Sequence, residues 1–294
     1  MFKTFVLLTC AVLIVAGAAG AATRGDEPFQ EGMKSYDEGD WDAAIDSFEK
    51  AVESDESSSL YHTWLGRAYI AKLQTVSFFE KGVLSGRALE HLQKAVELDP
   101  ANVDARVSLA GYYLNAPSIA GGSKKKARQQ AEAIATYDEV TGNWIMARVL
   151  VEDEKYDEAI EAIEACVAAR PENVDYRYQL AMVYQQQERY DEAFAEFENI
   201  VRIDPDAAGA LYQIGRTAVF SAAKADRGIE CLQKYLTLQP PAGYPGYDAA
   251  HWRLGMLYEQ KGDFEAARIE YETALRLNPD DDKYRDSLKE LARD

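Results

Sequence analysis

The stretch VDYRYQLAMVYQQQERYDEAFAEFENIVRIDP, Val174 to Pro205, decides the fold. It carries a helical apolar pattern, a short polar break, a second helical apolar pattern and a closing proline. Ala181 in the first pattern and Ala193 in the second stand 12 residues apart. Two other stretches share the layout: GNWIMARVLVEDEKYDEAIEAIEACVAARP, Gly142 to Pro171, and DAAHWRLGMLYEQKGDFEAARIEYETALRLNP, Asp248 to Pro279. A unit that recurs in register points to a stacked array, because each copy buries its apolar face only against its neighbours.

The register runs along nearly the whole chain. Small residues fall in the middle of each first helix at Gly32, Gly66, Ala110, Ala147, Ala181, Gly215 and Gly255. Early in each second helix they fall at Ala44, Ala88, Ala127, Ala159, Ala193, Gly228 and Ala267. Small residues let two helices approach closely, and large ones at helical spacing fill the gaps. Tyr69, Tyr184 and Tyr258 sit three residues beyond a small site, on the same face. Closing prolines follow at Pro100, Pro171, Pro205, Pro240 and Pro279, with Glu56 in that place in the first unit.

These residues resemble the tetratricopeptide repeat, a helix-turn-helix unit of about 34 residues. The resemblance implies an all-α chain, a right-handed α-solenoid of about seven repeats over residues 23–281. The repeats fall near 25–58, 59–102, 103–139, 140–173, 174–207, 208–241 and 248–281. Residues 282–294 form a capping helix, with Tyr284, Leu288 and Leu291 on one face and a polar opposite face. QPPAGYPGYD, Gln239 to Asp248, lengthens one turn, as a hinge or a rigid surface loop.

Acidic residues outnumber basic ones 50 to 32, for a formal net charge of -18. Such a surface repels phosphate backbones, so no nucleic-acid partner is expected. Residues 1–22, MFKTFVLLTCAVLIVAGAAGAA, have an early lysine, an apolar run and small residues around Ala19-Gly20-Ala21. That is the layout of a cleaved secretory signal. The expected product is periplasmic or secreted, without membrane insertion after cleavage; the alternative is an uncleaved N-terminal anchor. Cleavage leaves Cys166 and Cys231, two repeats apart in the stack and therefore expected to stay unpaired.

Two repeats have enlarged turns. Ala110 and Ala127 are 17 residues apart, and Gly66 and Ala88 are 22 apart. The first excess, within 115–123, leads into APSIAGGSKKKA. There Pro117 ends a helix, Gly121 and Gly122 reverse the chain, and Ser123 suits an N-cap. The spacing of a phosphate-binding loop is absent. Lys124, Lys125 and Lys126 read as a solvated basic turn, or as a secondary docking point for an acidic surface. The second excess, 71–86, is too apolar for a free loop, with Phe78, Phe79, Val83 and Leu84. It is expected to fold back on the neighbouring turn of the third repeat, the two insertions forming one knob, or else to offer a hydrophobic contact.

The sequence motivates no catalytic residue, metal site or cofactor. His62, His91 and His251 lie in no HExxH motif, no cysteine pair has zinc spacing, and no G-x-S-x-G elbow occurs. The reading is non-enzymatic.

The resemblance also implies a concave surface of first helices whose fifth and ninth places bind a peptide or helix. The fifth places are Phe29, Thr63, Val107, Trp144, Tyr178, Tyr212 and Trp252. The ninth are Met33, Arg67, Gly111, Arg148, Met182, Arg216 and Met256. Aromatics, methionine and arginine are the residues that interfaces enrich. The expected groove is therefore Arg67, Trp144, Arg148, Tyr178, Met182, Tyr212, Arg216, Trp252 and Met256. Its anchors should face away from the packing between repeats. Its expected partner is a protein or peptide segment with apolar and acidic groups. Trp144 with Arg148, and Tyr212 with Arg216, could instead stack as cation–π pairs. The lysine and asparagine of the chaperone-tail clamp are missing. The expected function is an interaction scaffold of the cell envelope; the alternative is a periplasmic ligand-binding accessory of a solute transporter.

Overall fold

A computed structural model describes residues 26–221, 224–239 and 243–293. The proposed export signal at 1–22 and Pro240 lie outside these. Two compact units divide the chain between Asp99 and Pro100. The first holds the pairs α1 (Asp26–Asp37) with α2 (Trp41–Ser54) and α3 (Ser59–Lys72) with α4 (Phe78–Leu98).

The second unit holds five pairs. They are α5 (Val103–Asn115) with α6 (Lys124–Ala135), α7 (Glu139–Glu152) with α8 (Tyr156–Ala169), and α9 (Val174–Gln186) with α10 (Tyr190–Ile203). Then come α11 (Ala208–Ala218) with α12 (Ala225–Thr237) and α13 (Tyr247–Gln260) with α14 (Phe264–Leu277). A single helix, α15 (Asp282–Leu291), ends the series. Within each unit every helix packs on its neighbours in chain order, and among the described residues all regular structure is helical. Seven helix pairs and a lone last helix make an α-solenoid; each pair lies within one residue of the repeat read from the sequence.

The small sites are where the helices of a pair touch. A Cβ on Gly66 would stand 2.7 Å from Leu92, on Gly215 2.3 Å from Leu232, and on Gly255 2.4 Å from Tyr271. Ala44, Ala88, Ala127, Ala159, Ala193 and Ala267 are fully buried. Starts and stops are local. Asn102, Asp138 and Asn173 accept backbone N–H bonds as N-caps. Each closing proline forbids continuation of a second helix. Arginines then staple the turns: Arg106 Nε donates to Pro100 O at 2.6 Å and Arg177 Nε to Pro171 O at 2.8 Å.

The insertion at 71–86 departs from expectation. After a short turn the chain enters α4 at Phe78, where Ser77 and Glu80 form a capping box. The extra residues thus lengthen a helix instead of a loop, and Phe78 and Phe79 stand 84% and 88% exposed. The other insertion forms a 3-10 turn, Ser118–Ala120, ended by Gly121 at φ 91°. A Cβ on Gly122 would stand 1.8 Å from the Ala116 carbonyl oxygen, so only glycine fits there. In the lengthened turn before α13, Tyr235 donates to Pro245 O at 2.5 Å and Tyr247 to Leu238 O at 2.6 Å.

Candidate functional site on the first helices

The fifth-place aromatics are mostly spent on packing, contrary to expectation. Trp144 on α7 is 7% exposed, and its ring lies 4.9 Å from that of Tyr176 on α9. Phe29 on α1 lies 5.2 Å from Tyr61 on α3. Trp252 on α13 lies 6.0 Å from Tyr284 on α15 and donates its Nε1 hydrogen to Ser287 Oγ at 3.0 Å. In each case a tyrosine 32 residues later, in the third place of the next first helix, receives the ring. These aromatics couple one repeat to the next, which is why Trp144 belongs to the core and Trp252 anchors the capping helix.

Where the third place is alanine, at Ala210 and Ala250, the preceding tyrosine turns toward its own pair. Tyr212 packs 5.4 Å from Tyr235 and is 7% exposed. Tyr178 packs 5.5 Å from Phe197 but stays half-buried. Of the expected aromatic anchors, Tyr178 and Trp252 are half-buried, while Trp144 and Tyr212 are buried. Met182 and Met256 are half-buried against the core of the second unit, and Arg148 is half-buried on α7. Arg67 belongs to the first unit, where its guanidinium lies 4.9 Å over Trp64.

Arg216 does not stack on Tyr212 as one reading of the sequence has it. Its Nη1 donates to Gln213 Oε1 at 3.4 Å. Gln213 Nε2 donates to the Tyr178 hydroxyl at 3.3 Å. Gln185 Nε2 donates to Thr217 Oγ1 at 2.5 Å and to Gln213 Oε1 at 3.4 Å, which ties α9 to α11. Gln185 Oε1 is buried without a donor. Burial pushes the Tyr178 phenol above its ordinary range against the pull of Gln213 and Arg216, so it remains a neutral hydroxyl that can donate.

The network gives Arg216 uncharged partners where several arginines have carboxylates; among the described residues Arg106 on α5 and Arg253 on α13 likewise form no ion pair, Arg106 donating to Pro100 O and Gln130 and Arg253 lying 4.6 Å over the Trp252 ring. Arg128 meets Asp153 at 3.0 Å, Arg177 meets Glu196 at 2.8 Å, and Arg227 meets Glu198 at 2.7 Å. Among the described residues Arg216 has no carboxylate within ion-pair reach, only amides and a phenol. A half-buried guanidinium so placed is prepared for an incoming carboxylate, with the Tyr178 hydroxyl as a second donor. Sequence reasoning missed Gln185, Gln213 and Thr217. The available signal was position: Gln185 lies three residues after ninth-place Met182, on the same helical face.

The basic turn is largely used up within the chain. Lys124 pairs with Asp153 at 3.2 Å and also donates to the Glu152 carbonyl. Lys126 lies 5.3 Å over the Tyr113 ring, while Lys125 is exposed. Ser123 caps α6. His251 Nδ1 stands 2.6 Å from Glu270 Oε2. His62 and His91 bring their Nδ1 atoms within 2.9 Å of each other, a pairing that the repeat register did not foretell. Cys166 and Cys231 are buried, unpaired thiols. Among the described residues no group of three or more His, Cys, Asp or Glu side chains could hold a metal ion. No described helix is long and apolar enough to cross a membrane.

Comparison with known proteins agrees with this architecture. Tetratricopeptide repeat models match residues 29–72, 146–208 and 248–281. No curated protein matches the sequence. Among solved structures, a tetratricopeptide repeat protein from Parabacteroides merdae is 15% identical, with 92% of this chain and 99% of that one covered at a TM-score of 0.53. Pseudomonas aeruginosa PilF is 18% identical, with 80% and 98% covered at 0.59. The Thermus thermophilus tetratricopeptide repeat protein TTC0263 is 19% identical, with 66% and 99% covered at 0.54. Such identities speak for the fold alone. The chain belongs to the tetratricopeptide repeat family. Its fold is that of a protein–protein interaction scaffold.

Proposed function

We propose that this chain is an exported scaffold that binds a segment of another protein on the first helices of its second unit. The observation that carries the reading is Arg216, a half-buried guanidinium facing uncharged donors and acceptors in a strongly acidic protein. An acidic group of the partner supplies the missing carboxylate. Tyr178 and Met182 beside it supply apolar contact, and Arg148 extends the cationic character along the first helices. Support for export comes from residues 1–22, whose charge, apolar run and small residues have the form of a secretory signal. A transporter accessory would need an enclosed apolar chamber, which nothing in the Arg216 network requires.

The test is cross-linked capture from envelope extract by the wild-type chain, Arg216→Gln and Lys125→Ala. Arg216→Gln should weaken capture by about 1–3 kcal/mol and flatten its salt dependence. Lys125→Ala should behave as wild type. Capture that survives Arg216→Gln and disappears with Lys125→Ala would move the site to the basic turn.

A further inference from the structure

A second feature lies among the last three helices. An open depression of about 500 Å³ is bounded by α13, α14 and α15. Its walls are the Trp252 ring, the Met256 side chain and Phe264, itself half exposed at the start of α14. Two carboxylates face into it, Glu259 from α13 and Glu290 from α15. Glu259 accepts a hydrogen bond from the Tyr271 hydroxyl at 2.6 Å. Among the described residues neither glutamate has a cationic partner, whereas nearby Lys283 pairs with Asp281 at 2.7 Å and Lys289 with Asp286 at 2.9 Å. Gln260 and Ser287 complete a lining that is about half polar, and Arg253 and Lys283 lie over the Trp252 ring at 4.6 and 5.2 Å. A mixed recess holding two carboxylates outside any ion pair favours an aliphatic stem that ends in a positive charge. The volume lies within the usual range for a recognition pocket, about 300–1,000 Å³, so it has room for a neighbouring apolar side chain too.

We infer that this depression receives a lysine or arginine side chain of the partner segment whose acidic group meets Arg216. The inference rests on the interaction role proposed above. Neighbouring first helices lie about 8–10 Å apart, and an extended chain advances about 3.3 Å per residue. The partner's basic residue therefore stands about three positions from its acidic one where it meets Glu259 on α13, and up to about six where it reaches Glu290 on α15. A bipolar site of this kind sets the direction of the bound segment, because reversing the segment would place like charges together at both ends.

The probe is an array of short acetylated peptides scanned through all residues at each position and incubated with the full chain. Bound peptides should carry Lys or Arg about three to six positions from Asp or Glu. In the best binder, replacing that Lys or Arg with norleucine should weaken binding about tenfold, the loss of one charge-assisted contact. The penalty should shrink in Glu290→Gln and vanish in Glu259→Gln/Glu290→Gln, while dependence on the acidic residue persists. Both variants keep the hydrogen-bonding shape of the side chain, and circular dichroism verifies their helicity. Peptides bound without any basic preference, or a norleucine penalty unchanged in the double variant, would overturn the inference and leave the Arg216 reading standing. Capture of no peptide at all would refute the interaction reading, and this inference with it.

Discussion

Trp144→Ala should act as a break in the array, where the sequence pattern alone casts Trp144 as a binding anchor. The indole is 7% exposed and sits 4.9 Å from the Tyr176 ring of the next repeat. A buried aromatic of this size hides roughly 150–250 Å². At about 25 cal/mol per Å² that corresponds to about 4–6 kcal/mol, an upper bound because the unfolded chain is not fully extended. Measured truncations of buried aromatics cost about 3–5 kcal/mol, and the ring pair adds roughly 0.5–1.5 kcal/mol that alanine cannot supply. A loss of about 3–5 kcal/mol is therefore expected. It should be local, since each repeat contacts only its neighbours. Hydrogen exchange followed by mass spectrometry should show α7 and α9 losing protection, with α13 and α14 little changed. Urea melts should show the matching loss, and Trp144→Phe should recover part of it. A destabilisation below about 1 kcal/mol, with exchange in α7 and α9 unaltered, would refute the packing role and restore Trp144 as an anchor.

Burial pushes the Cys166 thiol up to about 11 and the Cys231 thiol up to about 12. Both should resist iodoacetamide in the native protein at pH 8 and react fully in guanidinium; rapid native labelling of either would contradict the buried register. Burial holds the paired imidazoles of His62 and His91 below the ordinary histidine range, His91 further so by its histidine partner. The unfolded chain therefore binds protons that the folded one refuses once the pH drops below about 6.5. Stability of the first unit should fall through that window, and His91→Gln should flatten the slope; an identical pH dependence in the variant would reject the coupling. Trp252→Phe keeps a ring against Tyr284 but loses the 3.0 Å bond to Ser287. It should speed exchange in α15 with less effect on α13, and unchanged α15 protection would show that the indole N–H does not hold the cap.

The repeat register was legible in one dimension because its determinants are local. A glycine or alanine is required where two helices of a pair meet, as at Gly66 against Leu92, and a proline follows most of the second helices. Those demands recur at a spacing that most repeats share, so the number of helix pairs and the capping helix could be read directly. The fate of each aromatic could not, because it depends on a residue in another helix. Trp144 meets Tyr176 and is buried, whereas Tyr178 is followed by Ala210 and stays partly open. The insertion at 71–86 was ambiguous for a similar reason: its capping box at Ser77 and Glu80 starts a helix early, which a count of spacing between small residues cannot distinguish from a loop. Composition also counted arginines without pairing them. Only the tertiary arrangement, which brings carboxylates to Arg177 and Arg227 and an amide to Arg216, shows which charges are already paired.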